Sequence, residues 1–447
     1  MKQELYIEQA LEWFDFWSSN YIKKVAFKGF SISVAKDDEV IFSKAYGING
    51  DVDLADTDMF RMASHSKNIT AIAIMKLVEE EKLMLDDKVI KHIEFLNSKD
   101  KGFQTITVRQ LLNHSAGIKR DGYDSSFWSL NIDFPSVEEL KSTFLKSKTY
   151  CETNTRLKYS NLGYGLLGLI IEKVTGQKYN DYIHEHILNG YDMFMDSDFI
   201  DNSKIAKGYT CKHLTGKIEE LDTTVSTNAL SSATGLTSST KEMAMFYQKL
   251  CMGDQSLITD ESKKELFKPN FDINKEYKVK YGLGFRNKTY KGFKQIGHTG
   301  GFPGHQTVTA VDVDKKISIS CAINCIEGNP VAILNTLIEF INKFESKKDS
   351  LLINSNFDYK KVMLCLWGES VFVPFKDEIS EIGIYTYTFS ESNTISKNKD
   401  SSYQFTKCGN LDSYNEPVEF LFDENNIIKT VNRAGVEMTR REDFKMP

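Results

Sequence analysis

The sequence predicts an α+β protein: an antiparallel sheet flanked by helices, a mostly helical subdomain beside it, and a small β-rich domain at the C-terminal end. Three observations predict this. Two hairpin-like regions of alternating apolar residues flank a long helical insertion, a charged break (ESKKDS, Glu345 to Ser350) follows the last helix, and beyond it the pattern changes to short alternating stretches separated by polar turns. The expected division is a main domain at 1–345 and a C-terminal β-rich domain at 351–447. A chain of 447 residues with 41% hydrophobic content is long and apolar enough for a sizeable core.

Taken in order, MKQELYIEQALEWFDFWSSNYIKK carries apolar and aromatic residues at helical spacing. It lacks the basic start, apolar centre and small-residue cleavage site of an export signal, so the expected location is cytoplasmic. A signal removed from the gene product would leave a periplasmic or extracellular location open. FSISVAKDDEVIFSKAYG reads as a hairpin turning at Lys36 to Glu39. Helices and loops dominate from Ser64 to about Lys268. Strands return at YGLGFR (Tyr281 to Arg286), at FKQIG, and in HQTVTAVDVDKKISISCAIN, where a polar turn at Asp312 to Lys316 joins two apolar stretches. A helix from Pro330 to Phe344 closes the main domain. In the C-terminal part, VMLCLWGESVFVPF, IGIYTYTFSES, YQFTKCGN, VEFLFDENNIIKTV and GVEMTRRED read as strands.

Charge and cysteine usage exclude several functions. Sixty-two acids against 56 bases give a net charge of −6, so no basic excess points to nucleic acid. No apolar run is long enough to span a bilayer. Seven cysteines at irregular spacing fit reduced thiols better than a disulfide framework.

The chemistry-bearing stretch is FRMASHSKNITAIAIMKLVEEEKLMLDDKV, which places Ser64 and Lys67 one helical turn apart at the start of an apolar helix. Residues i and i+3 share a helix face, and the first turn leaves backbone N–H groups free, so a serine there has an amine and positive potential beside it. Ser-x-x-Lys recurs at Ser98/Lys101, Ser238/Lys241 and Ser396/Lys399, read as solvated loop or helix surface. Two further motifs single out the first: Tyr159-Ser160-Asn161, before an apolar helix, and His298-Thr299-Gly300, on or beside a strand.

With these three boxes, and with LLNHSAGI (Leu111 to Ile118) and ALSSATGLTSSTKEMAMF (Ala229 to Phe246), the chain resembles the serine β-lactamase and penicillin-binding-protein superfamily, in its class C-like branch, over roughly residues 10–345. The resemblance implies the β-lactamase/transpeptidase-like fold with a lipocalin-like C-terminal domain. It implies Ser64 as nucleophile, Lys67 easing its deprotonation and Tyr159 as proton shuttle, with Lys67 and His298 as the cations that would favour a phenolate. Asn161 would orient Lys67 and the substrate's acyl amide, and the backbone N–H groups of Ser64 and Gly301 would hold the oxyanion. Asn161, His298, Thr299 and Gly300 would line the substrate. The family often has lysine where this chain has His298, so affinity for a carboxylate would be weaker or pH-dependent. No metal and no cofactor is implied.

The expected function is a serine hydrolase forming an acyl-enzyme with an ester or amide, a small ester or a D-amino-acid peptide. The alternatives are a penicillin-binding DD-peptidase with weak β-lactamase activity and, in another class, a non-catalytic binding protein that keeps the fold. The expected partner is a small molecule or short peptide, and the oligomeric state is left open.

Each residue also has a plainer reading. Ser64 could cap its helix with Lys67 in solvent. His65 and His305 read as packing or rim residues. His184-x-His186 and Cys321/Cys325 lack further ligands at metal-binding spacing. Gly163 to Gly168 satisfies G-x-G-x-x-G, but the polar segment before it is no strand, so close helix packing explains these glycines better than a dinucleotide.

Overall fold

A computed structural model describes residues 2–97, 101–122, 124–196, 201–352, 355–384, 392–408 and 413–446. The chain forms two compact units, one of residues 26–331 and one of residues 1–25 with 332–447.

In the first unit, β1 (Gly29–Lys36) and β2 (Glu39–Asn49) form the expected hairpin, followed by β3 (Val52–Asp53) and β4 (Phe60–Ala63). Short strands interrupt the helical region: β5 (Met193–Met195), β6 (Gly208–Tyr209), β7 (Glu220–Leu221) and β8 (Leu236–Ser238). Next come β9 (Phe271–Asn274), β10 (Val279–Tyr281), β11 (Arg286–Tyr290), β12 (Phe293–Phe302), β13 (His305–Asp312) and β14 (Ile317–Ile323). Nine strands form one sheet in the order β3-β2-β1-β14-β13-β12-β11-β10-β9. Its neighbouring strands all pair antiparallel, and β1 joins β14 through Phe30 opposite Ile323 to Lys36 opposite Ile317. Sequence-distant hairpins therefore meet at the sheet centre, as the two-hairpin pattern anticipated.

Two readings need correction. Tyr281 to Arg286 is not one strand: β10 ends at Tyr281 and β11 begins at Arg286, with a turn between. The turn is set by Gly284 at φ 81°, where a Cβ would stand 2.6 Å from Ala71 Cβ, so the chain bends tightly over the helix Ser66–Glu79. Ser238 is not solvated. It ends β8 fully buried, with Lys241 exposed on the following helix. Ser98 lies outside the described residues, as do residues 385–391 of the stretch IGIYTYTFSES.

The helix Ser66–Glu79 is buried on nearly all sides, from Ser66 to Met75 without interruption, because it runs through the main core with Ile69, Ile72 and Leu77. The helix Asn161–Thr175 packs close to it. Its glycines admit other segments: a Cβ on Gly168 would come 2.9 Å from Ser232 Oγ on the short helix Ser231–Thr234, and one on Gly165 would stand 3.1 Å from Leu140 Cδ2.

In the second unit, the helices Lys2–Tyr21 and Pro330–Ser346 meet through Phe14 and Phe340, edge to face at 5.9 Å. β15 (Met363–Cys365), β16 (Gly368–Pro374), β17 (Glu378–Gly383), β18 (Asn393–Lys397), β19 (Tyr403–Lys407), β20 (Pro417–Phe422), β21 (Ile428–Arg433) and β22 (Val436–Arg440) close into an eight-stranded barrel. Phe372, Ile379, Ile395, Phe405, Val431 and Met438 lie on one buried face of this wall. Buried Glu381 shares that face, accepting from Ser370 Oγ at 2.9 Å, Asn393 Nδ2 at 2.8 Å and Arg433 Nη1 at 3.1 Å.

All seven cysteines are free. Among the described residues, no helix is long and apolar enough to cross a membrane.

Candidate active site

The nucleophile candidate sits at a strand-to-helix junction. β4 ends at Ala63, held at φ 49°, an uncommon backbone state for a residue with a Cβ, and Ser64 follows two residues before the helix. Ser64 caps nothing: the N-cap position is His65, and no side-chain cap bond forms there. Its Oγ instead accepts from the Tyr159 hydroxyl at 2.8 Å and faces Lys67 Nζ at 3.2 Å.

Lys67 is fully buried in the first helical turn, not pointed to solvent. Its Nζ has two other partners, Asn161 Oδ1 and the Ala233 carbonyl, each at 2.8 Å. It also lies 4.8 Å above the Tyr159 ring. Burial drives its pKa well below the ordinary lysine value, Asp121 pulls it back up and Arg120 adds to the depression. A neutral amine beside a serine hydroxyl is a competent general base.

Tyr159 precedes the helix Asn161–Thr175, whose N-cap is Ser160 through its bond from Gly163 N. Burial raises the phenol's pKa, against the opposing effects of the Ser64 bond, Arg120 and Arg286. The phenolate anticipated from nearby cations is thus disfavoured in the resting protein, and Tyr159 stands there as a neutral donor. The His114 ring lies 4.2 Å from its ring, inclined at 40°, and the Arg120 guanidinium lies 5.2 Å from the ring centre.

The third box lies on β12, inside the sheet. His298 is buried with both nitrogens engaged: Nδ1 donates to the Thr299 carbonyl at 2.6 Å and Nε2 accepts from the Tyr281 hydroxyl at 3.0 Å. Burial, with Lys67, Arg286 and His65 nearby, holds its pKa well below the ordinary value. The expectation of a cationic His298 is therefore replaced by a neutral ring. The cation near this box is Arg286, whose Nη1 donates to Thr299 Oγ1. Gly300 permits a close approach: a Cβ there would stand 2.2 Å from the Met62 carbonyl oxygen and 2.3 Å from Thr307 Oγ1. Gly301 is exposed, with only Gln306 within 4 Å of a would-be Cβ.

Of the plainer readings, His305 is a packing residue: Nδ1 accepts from Arg61 N at 3.0 Å and Nε2 donates to the Ala206 carbonyl at 3.0 Å. His65 is buried, with Nδ1 donating to the Met62 carbonyl at 2.7 Å and a pKa lowered to about 4 by burial. His184 accepts from Met195 N, and Cys325 Sγ meets the Thr210 carbonyl. The structure thus brings Ser64, Lys67, Tyr159 and Asn161 into one hydrogen-bonded group, places His298 6.5 Å from Tyr159 ring to ring, and adds Arg120, Asp121, His114, Tyr281 and Arg286, none of which was singled out from sequence.

The family model described as Beta-lactamase matches residues 17–341. The chain belongs to the β-lactamase family. Within that family of serine hydrolases, it is 32% identical to Protein flp of Staphylococcus aureus (strain MW2) over 176 residues, 38% of this chain and 35% of that protein. The chain therefore spans about a third of the length of that curated relative. It is 27% identical to Penicillin-binding protein 4* of Bacillus subtilis (strain 168) over 317 residues, 66% of this chain and 67% of that protein. The octameric penicillin-binding protein homologue from Pyrococcus abyssi superposes with a TM-score of 0.66 at 22% identity, covering 96% of this chain and 99% of that one, a likeness of β-lactamase-family fold that extends over the barrel.

Proposed function

We propose that the protein is a serine hydrolase that forms an acyl-enzyme on Ser64 with an ester or amide substrate. The observation that carries this reading is the convergence of Lys67 Nζ and the Tyr159 hydroxyl on Ser64 Oγ. In the proposed reaction Lys67, as free amine, takes the hydroxyl proton while Oγ bonds to the acyl carbon. The backbone N–H groups of Ser64 and Gly301 receive the oxyanion, a role in which one lost donor typically costs about 3–4 kcal/mol. The leaving group departs with the proton, passed from Lys67 with Tyr159 as shuttle, and water then releases the acyl group by the reverse path. Asn161 orients the amine, and the neutral His298 with Thr299 and Gly300 shapes the wall beside the scissile bond.

For the substrate, small esters and D-amino-acid peptides are the leading class. A second reading, a DD-peptidase type with weak β-lactamase activity, is favoured by Arg286. Its half-buried guanidinium has no carboxylate partner among the described residues and borders Thr299, so a substrate ending in a free carboxylate would find a cation there.

The test is intact-mass analysis after incubation with a fluorophosphonate, followed by peptide mapping. One adduct on Ser64, absent in Ser64→Ala, is expected. An unmodified, folded protein would turn the reading toward a non-catalytic relative.

A further inference from the structure

We propose that Asp121 is a positioning residue for acylation, locking the Asn161 amide with its oxygen toward Lys67 so that the amine keeps its lone pair for Ser64. The inference rests on the reading of Lys67 as the base.

The segment before Asp121 is clamped to the start of the helix Asn161–Thr175. Asn161 N and Leu162 N both donate to the Arg120 carbonyl, at 2.9 and 3.1 Å, and Ser160 Oγ donates to the Lys119 carbonyl at 2.6 Å. This brings the Asp121 carboxylate, 13% exposed, within 2.6 Å of Asn161 Nδ2, while its other oxygen accepts from Arg120 Nε at 2.9 Å. The helix N-terminus adds positive potential that suits an anion.

A carboxylate offers acceptors only, so it selects the NH2 end of the Asn161 amide and turns the oxygen to Lys67. That choice decides what the amine can do. A neutral amine has two N–H donors and one lone pair. Asn161 Oδ1 and the Ala233 carbonyl, both pure acceptors at 2.8 Å, use the two donors. The lone pair then falls on the third direction, toward Ser64 Oγ at 3.2 Å. Were Asn161 turned over, its NH2 would compete with the serine proton for that lone pair.

Asp121 also contributes charge. Of the groups around Lys67, the Tyr159 and Tyr164 rings are uncharged, and burial keeps His114, His65 and His298 neutral. Asp121 and Arg120 oppose one another at the amine. The pair is therefore placed to set the pH at which Lys67 becomes a base.

The experiment follows the rate of fluorophosphonate labelling of the full chain against pH, with folding of each variant checked by its thermal transition. The wild type should show an acid limb that is lost, with or without the labelling itself, in Lys67→Ala. Asp121→Asn keeps an acceptor for Asn161 but drops the charge, so the Lys67 pKa falls further and the limb should move about one pH unit toward acid. Asp121→Ala also releases the amide, and its plateau rate should fall about tenfold or more. Arg120→Gln, at an exposed side chain, should move the limb the opposite way. Limbs and plateaus within twofold of wild type in both Asp121 variants would overturn the proposal. If those variants do not fold, an unmoved limb in Arg120→Gln would overturn it. An unlabelled wild type, or a Lys67→Ala variant with the wild-type rate and limb, would instead fell the assignment of Lys67 as base.

Discussion

The Tyr159 hydroxyl donates to Ser64 Oγ across 2.8 Å, which makes the serine an acceptor toward the tyrosine and leaves its own proton free to point at Lys67. Tyr159→Phe removes that donor without emptying the space between His114 and Arg120. Acylation should slow by roughly 10²- to 10³-fold, measured as the rate of adduct formation on Ser64. A loss under tenfold would take Tyr159 out of the proton path.

Lys67→Arg separates charge from basicity. Arginine keeps a cation beside Ser64 but cannot give up its proton in a protein, so the variant should be as impaired as Lys67→Ala, with burst-phase kinetics on an activated ester as the readout. Activity retained by arginine would mean that the position supplies field alone.

The buried amine also couples folding to pH. Its native pKa is lowered, so between that value and the ordinary lysine value the unfolded chain binds more protons than the native one. Stability from this group therefore rises with pH through that window and is lost as pH falls. Denaturant unfolding of Lys67→Met should lose this slope while remaining cooperative.

The three boxes were legible in the sequence because each couples a rare spacing to an element the local pattern already predicts: an apolar helix after Ser64, another after Tyr159-Ser160-Asn161, a strand around His298. Arg120 and Asp121 were not, although LLNHSAGI ends only two residues before Arg120. Asp121 acquires its role from a partner 40 positions away, and nothing in local periodicity records such a contact. Arg286 and Tyr281 were hidden in a segment read as one strand. The Gly284 turn, which lets Tyr281 reach His298 and Arg286 reach Thr299, is a response to packing against the helix Ser66–Glu79. The C-terminal alternation announced strands, but closure of the barrel depends on β15 pairing with β22, more than 70 residues apart in sequence.

Arg286→Gln should raise KM for peptides ending in a free carboxylate by about tenfold to a hundredfold, the worth of a charged hydrogen bond, and leave neutral esters little changed. Steady-state kinetics on a matched acid and methyl ester would decide it. Equal effects on the two would show that this cation does not read substrate charge.

Neighbouring glycines should respond differently. Gly300→Ala pushes a methyl group into the Met62 carbonyl oxygen and should destabilise the main unit by about 1–3 kcal/mol in denaturant unfolding as well as impair labelling. Gly301→Ala meets only ordinary contact with Gln306 and should keep the native midpoint.

The closed barrel bears on how copies of this chain can associate. A sheet with a free edge presents a row of unused N–H and C=O groups that another chain can extend, whereas a barrel whose β15 is bonded to both β16 and β22 offers no edge strand among its described residues. Recruitment onto the described strands of the barrel has to be written in side chains, and is for that reason separable, residue by residue, from the folding of the barrel itself. The nine-stranded sheet is different: β3 and β9 terminate it, so any backbone pairing of a second copy onto this sheet is confined to those two margins.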